Sequence, residues 1–196
     1  DSVPTLWRRL GGTLRALFAA LDKRRPPVKS AFSQARQRLG AAPMHRLFRL
    51  AARPMATEQT VGAFYKGMRL RAIDGVHLDV PDTPANATAF GRPSTTRDGE
   101  TVVGGYPQVL AVCLNEIGTH VIQDLVIRPC NSNEKPPARY LLTQVPMGDL
   151  LLWDTGFYSH GLLNQAIDQG SHLLGPVPSN VVLNPIRAKM VPHPRQ

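Results

Sequence analysis

At 196 residues the chain can form one domain, or one domain with a small appendage, and folding at this size removes roughly 70% of the unfolded surface from water. Its 42% apolar and 19% charged residues exclude a disordered or fibrous protein, and the lack of any 18-residue apolar run excludes a helical membrane span. The two cysteines, Cys113 and Cys130, are too few for a disulfide framework and have no metal-ligand spacing, which predicts a reducing, cytoplasmic setting.

Charge is the unusual quantity. The formal net charge is +9, and residues 1–71 hold 15 Lys+Arg against 3 Asp+Glu, whereas the remainder holds 8 against 11. A basic front half predicts a polyanionic partner. Leu6, Leu10, Leu14, Leu17 and Leu21 recur at helical spacing, with Arg8, Arg9 and Arg15 between them and Gly11-Gly12 as an interruption. Lys23-Arg24-Arg25-Pro26-Pro27 reads as a basic turn. A second helix is expected over SAFSQARQRLG, with Ser30 as its N-cap and Gly40 closing it. A third is expected from Pro43, with Met44, Leu47, Phe48 and Ala51 turned inward.

Three short basic helices fit a helix-turn-helix-like unit on double-stranded DNA. Arg24, Arg25, Lys29, Gln34, Arg36, Gln37 and Arg38 are its candidate contacts, because Arg and Gln bond base edges and phosphates. Solvated charge on a small bundle is the competing reading. The basic character runs too far for a targeting segment, and the absence of an initial methionine gives the expectation of a chain clipped at its front.

MRLRAIDGVHLDV (68–80) alternates as a strand carrying Asp74. A long loop is expected from Pro81 to Gly105, then two strands, Tyr106–Leu114 and His120–Ile127, joined as a hairpin. A short helix over Pro136–Val145 precedes the apolar run Leu150-Leu151-Leu152-Trp153, which ends in Asp154. Ser159 is expected to cap a helix reaching Gln169, and His172–Val177 reads as a last strand. Were the strands of Asp74 and Asp154 neighbours, two carboxylates would converge and call for a divalent cation. Asp residues at strand ends also serve local hydrogen bonds, so spacing alone leaves both readings open. His77, three residues from Asp74, should face the other side of the strand.

The phrases AIDGVHLDVPDTPANATAFGRP, GGYPQVLAVCLNEIGTH, GDLLLWDTGFYSHGLL and HLLGPVPSN, in that order, resemble the DDE transposases of the insertion element 4 family. SAFSQARQRLG and GAFYKGMRLRAIDG resemble the N-terminal region and domain junction of the same family. The resemblance implies an α/β fold, an incomplete ribonuclease H-like mixed sheet with flanking helices, behind a small basic helical domain. Its expected divisions are 1–66, a catalytic part over 67–180 and a divergent tail over 181–196. It further implies DNA strand cleavage and transfer at transposon ends, with Mg2+ or Mn2+ held by Asp74 and Asp154 as the first two acids of the family's set. A homodimer in the intact enzyme and a nucleoid-associated, cytoplasmic location, with no membrane partner, complete the implication. The family's YxxRxxxExxxxxxK signature is absent: no glutamate follows Glu134, and Thr155 stands where the family usually has Arg. A fragment lacking the third acid is therefore expected, and the alternative to an enzyme is a catalytically dead DNA-binding remnant or a pseudogene product.

Overall fold

The computed structural model describes residues 28–97 and 99–182. Arg24 and Arg25, with the leucine stripe before them, lie outside the described residues. The chain divides into two units, Asp1–Ala51 and Ala52–Gln196.

Among its described residues the first unit holds helices α1 (Lys29–Leu39) and α2 (Ala42–Ala51). The start of α1 corrects the expected cap. Val28 occupies the N-cap position with no side-chain bond, and Ser30 already lies inside the helix. Gly40 does close it: at φ 71° it takes the left-handed conformation that a side chain would strain, and its N–H returns to the Arg36 carbonyl. The inward set expected on α2 is also corrected. No residue of α2 is buried, and Met44 and Leu47 are 53% and 57% exposed.

The second unit is a mixed sheet with helices on it. Its elements are β1 (Phe64–Tyr65), β2 (Met68–Asp79), α3 (Pro84–Phe90), β3 (Ser94–Arg97), β4 (Glu100–Val103), β5 (Gln108–Glu116) and β6 (Val121–Pro129). Then come α4 (Lys135–Leu142), β7 (Leu150–Leu152), a 3-10 turn (Thr155–Phe157), α5 (His160–Asp168) and β8 (His172–Leu174). The strand order is β6-β5-β2-β7-β8, with β1 as a short addition to β2. The first three strands pair antiparallel and β7 and β8 join parallel, as the ribonuclease H-like class requires.

The region expected as one loop is corrected too. Thr83 caps α3 through its hydroxyl, Pro84 pre-sets the first turn, and β3 and β4 form a separate hairpin. The seven-residue helix and four-residue strands are too short to show a periodicity.

The core lies between the sheet and α4 and α5. Ile73, Leu110, Val112, Leu114 and Leu151 from the strands meet Ala138, Leu141, Leu142, Leu162 and Ala166 from the helices, with Trp153 and Phe157 closing the end. Strand β5 is apolar on both faces because it is covered by neighbours all round, with only Gln108 and Asn115 less than fully buried.

Glu116, at the end of β5, is wholly buried and collects four donors. They are the amides of Met55 (2.9 Å) and Ala56 (2.8 Å), the Thr119 hydroxyl (2.6 Å) and the Arg69 guanidinium. Burial alone would push its carboxyl up, but these donors outweigh that and hold its pKa below the ordinary glutamate value. The segment leading into the sheet is thereby tied to it.

Candidate functional site

Alternation along β2 puts Ile73 on the helix-covered face and Asp74, which is exposed, on the other. The apolar run of β7 ends at Leu152, and Asp154 follows as an exposed residue at the mouth of the 3-10 turn. Strands β2 and β7 are direct neighbours. Their last paired residues are Ala72 and Leu152, so each aspartate stands two positions beyond the last registered pair, which by alternation sets both on the same face.

Each carboxylate accepts a single backbone amide among the described residues. Asp74 accepts the Gly75 amide at 2.8 Å and Asp154 accepts the Gly156 amide at 2.9 Å. No ion pair to either occurs among the described residues. Asp74 also faces Cys113, its direct cross-strand partner, whose thiol is pushed up first by burial and then by that negative charge.

Hard carboxylate oxygens with spare lone pairs suit Mg2+ or Mn2+, and Mg2+ in particular takes one or two carboxylates together with water and substrate phosphates. The donor set therefore fits a divalent cation of this kind. Among the described residues no group of three His, Cys, Asp or Glu is placed to hold a metal.

Sequence reasoning gave no place to one further carboxylate. Glu134, just before α4, lies against the backbone of Gly75, so close that a Cβ there would meet its Oε1 at 2.3 Å. Gly75 thus makes room for Glu134 on the face of β2 opposite Asp74. The pairing of a Gly on a strand with a distant Glu leaves no local pattern to read. His77 turns away from Asp74, and its Nε2 lies 2.9 Å from the Cys130 carbonyl.

Of the candidate DNA contacts, Gln34, Arg36, Gln37 and Arg38 are exposed on α1, and Lys29 is its first residue. An open groove of about 450 Å³ is lined by Ser33, Arg36, Gln37, Gly40, Ala41 and Met44. Arg46 and Arg49 are exposed on α2.

A sheet of three antiparallel and two parallel strands, with one acid within the central strand β2 and another just past its neighbour β7, defines a ribonuclease H-like domain. Residues 65–196 match the family described as Transposase DDE domain, and residues 1–49 match the Insertion element 4 transposase N-terminal family. The chain belongs to the insertion element 4 family of DDE transposases.

Two relatives come from Escherichia coli K12. One, described as putative transposase InsZ, is 33% identical over 79% of this chain and 51% of its own length. The other, transposase InsG for insertion sequence element IS4, is 38% identical over 73% of this chain and 31% of its own. The chain thus spans about half of one relative's length and a third of the other's. A piggyBac transposase in a synaptic complex with hairpin DNA overlaps 98% of this chain and 41% of its own at 17% identity, with a TM-score of 0.42, too loose an overlap to bear on the site. Among the described residues no helix is long and apolar enough to cross a membrane.

Proposed function

We propose that this chain acts on double-stranded DNA as part of an insertion-sequence transposase, with Asp74 and Asp154 holding a divalent cation and the first unit gripping the duplex. The observation that supports the reading is that both aspartates, without an ion pair among the described residues, lie two positions past the last registered β2–β7 pair. Bound there, Mg2+ or Mn2+ would supply activation of a water or 3′-hydroxyl and stabilisation of the leaving oxygen in phosphodiester transfer. The chain's own part is to present two acceptors with spare lone pairs, each oriented by one backbone amide, on a rigid sheet. Arg36, Arg38, Gln34 and Gln37 on α1, with Lys29 at its start and Arg24 and Arg25 before it, supply phosphate and base-edge donors. These two units would divide the work between grip and chemistry.

Binding without cutting is the second reading, favoured by the absence of a third acid in a metal-holding group among the described residues. One pair of assays separates them. Binding to insertion-end DNA is expected to weaken about a hundredfold or more between 50 and 200 mM salt, since neutralised phosphates release counterions. Mn2+-dependent nicking of supercoiled DNA that disappears in Asp74→Asn supports the enzyme, and steeply salt-dependent binding without nicking supports the binder. Salt-insensitive binding, or none, refutes both.

A further inference from the structure

The buried ion pair between Arg71 and Asp149 is not explained by packing. Arg71, on β2, keeps 4% of its side chain exposed and Asp149, just before β7, keeps 14%, with Nε 2.5 Å from Oδ2. Bringing two charges out of water is expensive, and an apolar pair of the same size would hold a sheet at least as well. What such a pair does supply is a unique partner, and β2 and β7 need one.

Strand β7 is three leucines, and only three residue pairs join it to β2: Leu70 with Leu150, Arg71 with Leu151 and Ala72 with Leu152. Sliding β7 by one residue replaces leucine with leucine at two of these places, so the side chains of the strand itself mark its register weakly. The bonds from His172 to the Asp149 carbonyl and from Trp153 to the Leu174 carbonyl fasten β7 to β8, on its other side. Across the β2 edge, Asp149 stands two residues before Leu151, the partner of Arg71, on the same face. Together with Trp153, which a one-residue slip would turn out of the core, it distinguishes the observed register from a slipped one.

Register matters because these two strands carry the two aspartates. Asp74 lies three residues after Arg71, and Asp154 five after Asp149. A slip of one residue moves Asp154 about 3.3 Å along β2 and turns the ladder's faces over, and a slip of two moves it about 6.6 Å on the same face. Either takes the two carboxylates out of reach of one small cation whose oxygen ligands stand at about 2.0–2.1 Å. We propose that Arg71 and Asp149 are positioning residues: their ion pair sets the β2–β7 register and so brings Asp74 and Asp154 level. This rests on the reading of those aspartates as the cation's holders.

The test is Mn2+ binding to the whole chain, by electron paramagnetic resonance, in Arg71→Gln and Asp149→Asn, with Asp74→Asn as control. Affinity is compared only where far-UV circular dichroism matches the parent. Folded neutral variants are expected to bind Mn2+ at least tenfold more weakly. A purely structural pair would lower the melting temperature and leave the affinity of the folded protein unchanged. Parental affinity in either folded variant therefore overturns the proposal, as does unfolding of both. A parent that does not bind Mn2+, or that Asp74→Asn does not weaken, overturns the cation reading itself, and the two failures are told apart by the control.

Discussion

Removing the Glu116 carboxylate should be among the most damaging single changes in the second unit. Glu116→Ala strands the buried Ala56 amide, the Met55 amide, the Thr119 hydroxyl and Arg69, whose side chain is 22% exposed. A buried donor left without its acceptor costs about 1–3 kcal/mol, and breaking a buried charge pair by removing one partner costs about 3–5. Thr119 can rotate its hydroxyl and Arg69 can reach water, so the total should be about 3–5 kcal/mol, or a fall of roughly 10–15 °C in Tm. Glu116→Gln keeps an acceptor but loses the charge, and should cost about 1–3 kcal/mol.

The pH dependence has a definite sign. The folded carboxyl is held below its ordinary value, so its contribution is present above the ordinary glutamate pKa of about 4.3 and is lost as pH falls through the folded value. The gap in stability between the parent and Glu116→Gln should accordingly be full at pH 7 and close in strong acid. Urea denaturation at pH 7 and at pH 3 measures both. A loss under 1 kcal/mol for Glu116→Ala at pH 7, or a gap that does not narrow in acid, would refute the account of this site.

Gly118→Ala should destabilise by about 1–3 kcal/mol, because the added Cβ would lie 2.4 Å from the Ala63 Cβ and 2.7 Å from its Cα, and backbone must move; thermal melting reads it. Gln123 is the extra residue where the β5–β6 register shifts, and both polar atoms of its amide are buried with no partner among the described residues. Gln123→Leu should therefore stabilise by about 1–2 kcal/mol, and a loss of stability in urea would show that the amide is satisfied in solution. Phe157→Ala, which empties a fully buried aromatic between sheet and helices, should cost about 3–5 kcal/mol, with the melting curve still cooperative.

Legibility in the sequence followed length and locality. The twelve residues of β2 and the hairpin of β5 and β6 carry long periodic patterns, and Ser159 and Trp153 behave as their local signals predict. The family phrases gave the fold class, which the strand order bears out. Helix α3 and the β3–β4 hairpin are too short for a period to emerge, so Pro81–Gly105 reads as a loop. The exposed apolar side of α2 has the spacing of a buried stripe, a pattern that spacing alone cannot tell from a buried one. At the site, the places of Asp74 and Asp154 in the chain are legible, but the parallel register of β2 with β7 that bears on them is not, because no local pattern records it. The same holds for Glu116, whose amide partners Met55 and Ala56 lie some sixty residues away in the chain, and for Glu134 against Gly75.

The parallel pairing of β2 with β7 has a consequence for the chain as it leaves the ribosome. Leu70 waits for Leu150, eighty residues later, before the second edge of β2 is filled. At synthesis rates of about 5–20 residues per second, that interval is roughly 4–16 s. Strands β5 and β6 emerge within it and can pair on the other side, leaving the edge of β2 from Leu70 to Ala72 open. During those seconds the unpaired edge of β2 is a template on which a stray strand can pair.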